Sequence, residues 1–275
     1  MATFYTFFLI KKTRKKAVEI SPLSINMGRF NYAVTMSKIH SIVVLTGSGI
    51  SAESGLKTFR DNNGLWEDHA VEEVATPEAF AANPELVHRF YNQRRQQLLS
   101  SEVHPNNAHI ALAEFQKTYA GKLSIITQNV DNLHERAGSS NVIHMHGELQ
   151  KIVCTRSGKR FDCQTSIDTK TQCQCCGIQG TLRPDIVWFG EIPKSMDLIE
   201  SLLAGCDLFI SIGTSGTVYP AAGFKQVASS FGAKTVELNL EAASRYTGFD
   251  ESHYGLAGKI VPQYFDNLKK AIDQD

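Results

Sequence analysis

Gly47-Ser48-Gly49-Ile50-Ser51-Ala52 fits the pattern G-x-G-x-x-G/A, in which small residues let backbone N–H groups and the start of a helix approach a pyrophosphate. The run before it, Ser41 to Thr46, is apolar and β-branched and ends at glycine, so the loop follows a strand. Gly47 to Arg60 is therefore expected to form the strand–turn–helix loop of a dinucleotide site, a glycine turn with no ligand being the plain alternative. A redox dinucleotide domain also has a second strand ending in an acid about twenty residues on. Here Thr58 to Trp66 is a polar, glycine-containing loop. Dinucleotide binding survives this departure, whereas hydride transfer fits less well. An acid at a strand end does stand downstream in Glu237 to Glu241, where Asn239 and Glu241 can reach an adenosine ribose.

Two other groupings carry chemistry. Cys154, Cys163, Cys173, Cys175 and Cys176 cluster, while Cys206 is remote. In a mixed α/β chain with no convincing secretory signal, such clustering favours a metal over disulfides. Cys154 and Cys173-x-x-Cys176 have roughly the spacing of a four-cysteine zinc ribbon, but the residue three after Cys154 is Ser157. Either Cys163 supplies the fourth thiolate, or Cys175 replaces Cys176, or the site is incomplete. A thiolate-only site keeps no open position, so any zinc here is structural. Tyr91 and Arg94, spaced i, i+3, lie on one helical face and make a clamp for a carboxylate. The alternative is that Arg89, Arg94 and Arg95 form a solvated face.

The elements that position these groups follow from periodicity. Short buried-strand runs recur at Leu123 to Thr127, Asp207 to Gly213 and Lys234 to Leu238, alternating with helical patterns at Pro84 to Leu99, Ala108 to Tyr119, Ser195 to Leu203 and Pro220 to Phe231. That alternation implies a parallel sheet covered on both faces. Leu149 to Pro184 breaks the rhythm and reads as a small inserted module. With 42% apolar residues the chain can bury a real core, and its 28 basic and 28 acidic side chains cancel. No whole-chain field gathers nucleic acid or a membrane surface. Residues 1–37 read as a poorly ordered extension; an apolar run precedes the basic run Lys11 to Lys16, the reverse of a signal peptide. A transit peptide or surface anchor is the alternative, Met27 and Met36 are alternative starts, and the location is read as cytoplasmic.

The blocks GSGISAESGLKTFRDNNGLW, TQNVDNLHERAG, HMHGEL, RPDIVWFGE and GTSGTVYPA, in this order, resemble the sirtuins, NAD-dependent protein-lysine deacylases. The resemblance runs from about Ser41 to the C-terminus. It implies an α/β fold, a Rossmann-type parallel-sheet domain (about 38–58, 102–148 and 190–275) with a smaller inserted zinc-ribbon and helical domain (about 59–101 and 149–189). It also implies a reaction in which the acyl-lysine carbonyl oxygen attacks the nicotinamide ribose, nicotinamide leaves, and free lysine and O-acyl-ADP-ribose result.

By this resemblance His146 is the general base for the ribose hydroxyls, a task that suits imidazole, while His144 only satisfies a hydrogen bond. Asn129 positions the ribose or a water. Asp131 meets the nicotinamide carboxamide, and Asp also suits capping of the helix that follows. Gly47, Ser48, Gly49, Ile50, Ser51, Ala52 and Glu53 cradle NAD; Phe59, Arg60 and Trp66 belong to the loop that covers it. Gln128, Val130, Gly213, Thr214, Ser215, Asn239, Leu240, Glu241 and Ala257 complete that site. Val187, Trp188, Phe189 and Gly190 match a strand that pairs with the extended substrate peptide through its backbone, an ordinary core strand being the alternative. Tyr91 and Arg94, with Ala75 upstream, are similar to the branch that removes succinyl and malonyl groups. Other readings are a dehydrogenase, a non-catalytic NAD or ADP-ribose sensor, and an ADP-ribosyltransferase.

Overall fold

The protein is described by a computed structural model, in which residues 39–56, 65–66, 69–242 and 247–274 are placed. The expectations for residues 1–37, Phe59 and Arg60 lie outside the described residues, as does the side chain of Trp66. The strands are β1 (Ser41–Thr46), β2 (Leu65–Trp66), β3 (His69–Ala70), β4 (Lys122–Thr127), β5 (Ile143–His144), β6 (Gly147–Cys154), β7 (Arg160–Asp162), β8 (Leu182–Ile186), β9 (Leu208–Ile212), β10 (Lys234–Asn239) and β11 (Glu251–Tyr254). The α-helices are α1 (Val71–Val74), α2 (Pro77–Ala82), α3 (Pro84–Leu99), α4 (Asn107–Thr118), α5 (Leu133–Ala137), α6 (Met196–Ala204), α7 (Phe224–Ser230) and α8 (Ala257–Asp273).

The main sheet has the order β11-β10-β9-β1-β4-β5, with every pairing parallel. In β1, alternate residues go to opposite faces. Ile42 and Val44 join Leu112 and Phe115 of α4 and Phe265 of α8; Val43 and Leu45 join Ile199 and Leu203 of α6 and Phe224 of α7. Covering both faces is what a near-continuous apolar strand demands. The chain leaves β1 toward β4 on one side and later returns to place β9 on the other. The carboxyl ends of β1, β4 and β9 therefore meet at the switch point of the sheet, where such folds leave a ligand crevice.

A second antiparallel sheet, β7-β6-β8, carries the cysteines and has its own apolar cluster of Ile152, Cys154, Cys163, Ile167, Cys173 and Leu182. Helices α1 to α3 pack around Val87, Phe90, Tyr91 and Leu98 with Leu149 and Trp188. Among the described residues no helix is long and apolar enough to cross a membrane.

Two local expectations change. The loop after β1 opens no α-helix among the described residues; it forms two 3-10 turns, Ser48–Ile50 and Ala52–Ser54, ended by Gly55 at φ 85°. A left-handed residue stops helical propagation, and glycine takes that conformation without strain. Second, Val187 to Glu191 is not a strand, because β8 ends at Ile186. The Trp188 amide donates to the Glu191 carboxylate at 2.8 Å and the Phe189 amide to Ala75 O at 3.0 Å. These bonds divert the backbone from a ladder. Trp188 is buried while Phe189 and Gly190 are exposed, so the segment as a whole is not core.

Candidate active site

The switch point opens into a cavity of about 860 Å³. Its floor is made where two small-residue turns interlock. A Cβ on Gly47 would lie 2.7 Å from Gly213 O, one on Gly49 would lie 2.7 Å from Gly213 Cα, and Gly213 itself has φ 60°. Gly47 N donates to Ile212 O at 3.0 Å and Gly49 N to Gly213 O at 2.9 Å. The glycines therefore let the β1 and β9 turns touch, and their amides are committed to that contact rather than aimed at a ligand. Ile50 departs further from expectation: its side chain is fully buried in the core below, because the 3-10 turn points it inward. Ser48, Ser51, Ala52 and Glu53 line the cavity.

Beyond the turns, Thr214, Ser215, Leu240, Glu241 and Ala257 line the same end of the cavity. Asn239 also lines it, with its amide donating to Thr214 O at 3.0 Å and its side-chain oxygen accepting from Leu240 N at 3.0 Å. It fixes the β9 turn against the end of β10. Glu53 Oε1 accepts from Gly258 N at 2.8 Å, so it caps the first turn of α8 with a negative charge at the favourable end.

The deeper wall is polar. Asn129 donates to Gly47 O and to Ser51 Oγ, both at 3.1 Å, and Ser51 Oγ donates to Asp131 Oδ2 at 3.0 Å. Asp131 Oδ1 also accepts from Leu133 N at 3.1 Å, so it caps α5 while lining the cavity. Burial raises the Asp131 pKa, opposed by the bonds from Leu133 and Ser51. His134, on α5, reaches Thr46 at 3.0 Å and joins that helix to the end of β1. Gln128 and Val130 complete the segment along the wall.

His146 stands at the entrance to β6. Its Nδ1 lies 3.0 Å from Gln128 O. A carbonyl only accepts, so Nδ1 carries the proton and Nε2 is the basic nitrogen. Burial pulls the imidazole below its ordinary pKa, with the Gln128 bond opposing. The ring is thus neutral at pH 7 and lines the cavity. His144 has a different environment: Nε2 is 2.8 Å from Glu135 Oε1, and although burial opposes charge, the Glu135 bond leaves its pKa raised.

At the far end, Tyr91, Arg94, Val187, Trp188, Phe189 and Gly190 line the cavity. Trp188 Nε1 donates to Tyr91 Oη at 2.9 Å, and the indole face holds the Arg183 guanidinium 3.7 Å from the ring centre. Arg183 in turn pairs with both oxygens of Glu191 at 2.8 Å. Burial raises the Tyr91 pKa, so the phenol is neutral. Tyr91 is buried and Arg94 half-buried, with the Arg94 guanidinium 5.4 Å from the Phe90 ring centre. The three arginines of α3 separate: Arg89 is exposed, whereas Arg95 is 1% exposed and donates to Leu149 O at 2.8 Å and Thr165 O at 3.1 Å. Leu56, Gln97, Pro193, Val218 and Tyr219 also line the cavity. Leu56, Val218 and Tyr219 stand inside the sirtuin-like blocks with no role assigned to them, and no sequence pattern singles out Gln97 or Pro193.

The thiols regroup. Sγ atoms of Cys154, Cys173, Cys175 and Cys176 all lie within 4.8 Å of one another. Cys163, one of the alternatives for the fourth ligand where the spacing gives Ser157, is outside this group; its thiol donates to Thr165 O at 3.2 Å, and the residue packs in the module's apolar cluster. Cys175 and Cys176 are both present in the group, so neither replaces the other.

A parallel sheet with a crevice at its switch point, paired small-residue turns, a half-buried neutral imidazole and a thiol-bearing lobe define an α/β protein of the nucleotide-binding class. The chain belongs to the Sir2 family, whose profile matches residues 47–220. An NAD-dependent protein deacylase of Pasteurella multocida is 60% identical over 229 residues, 83% of this chain and 98% of that protein. A Sir2 homolog solved as a complex with NAD has a TM-score of 0.77 and 38% identity, covering 86% of this chain and 93% of that one. A Sir2 structure bound to acetylated peptide has a TM-score of 0.71 and 27% identity, covering 85% of this chain and 95% of that one.

Proposed function

We propose that this protein is an NAD-dependent protein-lysine deacylase that accepts acetyl-lysine and, through Arg94 and Tyr91, succinyl- or malonyl-lysine in extended peptides. The observation that carries the reading is His146. A half-buried, neutral imidazole with its Nδ1 proton held by Gln128 O presents Nε2 as a base in the same cavity as Asn129 and Asp131.

The residues fit NAD as co-substrate, since Ser48, Ser51, Ala52, Thr214, Ser215 and Glu241 line one continuous cavity with Asn129, Asp131 and His146. The adenosine end is assigned to Ser215, Leu240, Glu241 and Ala257, and the nicotinamide end to Asn129 and Asp131. NAD supplies an activated bond between ribose and nicotinamide. His146 Nε2 takes a proton from a ribose hydroxyl, and the Gln128 carbonyl steadies the ring as it becomes charged. Asn129 orients the sugar from a position fixed by Gly47 and Ser51. The Phe189–Gly190 turn lies exposed at the acyl end and offers backbone to a peptide.

The thiol group supports a structural zinc ion, which Cys154, Cys173, Cys175 and Cys176 would hold. Six unpaired cysteines among the described residues fit a reducing compartment such as the cytoplasm.

The test is mass spectrometry of acetyl- and succinyl-lysine peptides incubated with the protein, with and without NAD, and with His146→Ala. The expected result is NAD-dependent appearance of free lysine, nicotinamide and O-acyl-ADP-ribose in equal amounts, absent in the variant. ADP-ribosylated peptide with the acyl group retained would instead assign ADP-ribosyl transfer.

A further inference from the structure

Trp188 to Glu191 is a turn closed twice. Glu191 N donates to Trp188 O at 3.0 Å, and the Trp188 amide donates back to Glu191 Oε2 at 2.8 Å. Gly190, third in the turn, has φ 89°, a conformation that glycine supplies at that position of a type II turn. The shape of the turn therefore depends on where the Glu191 carboxylate stands. Arg183, which belongs to β8 and does not line the cavity, holds it there.

The bonds of Arg183 converge on this turn. Nη1 and Nη2 each donate to one Glu191 oxygen at 2.8 Å, and Nη2 also donates to Ile186 O at 2.7 Å. The guanidinium covers the Trp188 ring at 3.7 Å. A planar fork meets all these partners at once, which an ammonium does not. Although burial opposes charge on Glu191, the bonds from Arg183 and Trp188 hold its pKa below the usual carboxylate value. Glu191 follows Gly190 along the cavity wall, so Arg183 also covers a negative charge that would face an anionic acyl group. On its other side, the indole that Arg183 stacks upon donates from Nε1 to Tyr91 Oη at 2.9 Å. A phenol oxygen that accepts from the indole turns its own hydrogen away from it, so the setting of the indole decides where Tyr91 points.

We propose that Arg183 is a positioning residue for the acyl peptide: one guanidinium fixes the Phe189–Gly190 turn through Glu191 and the Tyr91 phenol through Trp188, and it masks the Glu191 charge. The inference rests on the reading of that turn as the peptide site and of Tyr91 with Arg94 as the acyl site. The nucleotide end is held by other bonds, those of Asn129 to Gly47 and Ser51.

The test is steady-state kinetics on acetyl- and succinyl-lysine versions of one peptide, with peptide and NAD varied separately, for wild type, Arg183→Lys, Arg183→Met, and Arg183→Met combined with Glu191→Gln. In Arg183→Met the KM for both peptides is expected to rise about 10-fold, because the peptide must then order the turn as it binds. The KM for NAD is expected to stay within about twofold, and the acid limb of the pH profile to stay in place. For the succinyl peptide kcat/KM is expected to fall about 10-fold further, through repulsion by the uncovered Glu191. Glu191→Gln keeps an oxygen for the Trp188 amide but removes the charge, so the double variant is expected to recover this further loss and to retain the raised KM. Arg183→Lys is expected to lie between wild type and Arg183→Met, with succinyl preference nearer wild type. If Arg183→Met does not fold, Arg183→Lys decides: a raised peptide KM with an unchanged NAD KM supports the role, and wild-type values overturn it. An unchanged peptide KM in folded Arg183→Met, or equal changes for peptide and NAD, overturns the positioning role while leaving the deacylase reading. No recovery in the double variant overturns the masking of Glu191. Absence of NAD-dependent deacylation by wild type overturns the deacylase reading, and this inference with it.

Discussion

Replacing Arg94 with methionine separates recognition of the acyl group from chemistry. Methionine keeps helix propensity and the apolar stem beside Phe90, so α3 is expected to stay folded. What is lost is a half-buried guanidinium in the cavity wall. A hydrogen bond to a charged group contributes about 1.5–3 kcal/mol net, and an arginine–carboxylate pair is of this strong kind. At about 1.4 kcal/mol per tenfold, kcat/KM for a succinyl peptide should fall by roughly 10- to 150-fold. An acetyl group offers no carboxylate, so its kcat/KM should change by less than about twofold. The assay is paired initial rates on one peptide bearing either acyl group, at saturating NAD. Equal losses on both substrates would refute the clamp. Tyr91→Phe is a poorer test, because it strands the buried Trp188 N–H that donates to Tyr91 at 2.9 Å, with a penalty of about 1–3 kcal/mol that both substrates would share.

Two further outcomes follow from His146 and its neighbours. Because burial lowers the His146 pKa from 6.5, the base stays unprotonated at neutral pH, and kcat/KM should decline only as pH falls below 6.5; a decline centred above that value would contradict the assignment. Gly147→Ala should reduce kcat/KM by about 100-fold, as sub-ångström positioning is lost, since Gly147 has φ 85° and a Cβ there would lie 1.9 Å from Asp185 O. Val187 N bonds His146 O at 2.9 Å, so parting β6 from β8 displaces the base; wild-type turnover in the alanine variant would show that His146 tolerates the shift.

The central strands β1, β4, β9 and β10 are legible because they are apolar, β-branched and covered on both faces. Helix α3 is legible to the residue: Asn83 caps it by accepting from Leu86 N at 3.0 Å, and Pro84 opens it. By contrast, β11 is the polar edge sequence Glu251–Tyr254 with no apolar run, and α8 contains Pro262, which ordinarily interrupts a helical pattern. The site divides the same way. His146 and Asn129 stand in short motifs, but the ligand set of the thiol group depends on which turn faces which, and sequence spacing carries no such information. That is why Cys163 could be offered for the place that the spacing gives to Ser157, and yet lies outside the group.

The acyl end of the cavity and the cysteine lobe share α3, and this links them physically. Tyr91 and Arg94 face the cavity. One residue on, Arg95 is buried and bonds Thr165 O at 3.1 Å, while Asn92 exchanges bonds with Ile167 at 2.8 and 3.1 Å. Ile167 packs in the same cluster as Cys154 and Cys173. Removing the ion proposed for the thiol group should loosen the 163–167 loop and, through Asn92 and Arg95, the helix that aims Arg94. His146 is held in addition by Gln128 O, and the wall around it by β1 and α5. Chelation should therefore lower succinyl turnover more than acetyl turnover, with the His146 pH profile unchanged. Parallel loss of both activities would mean that the ion supports the whole fold rather than this helix, and the route through Asn92 and Arg95 would fall.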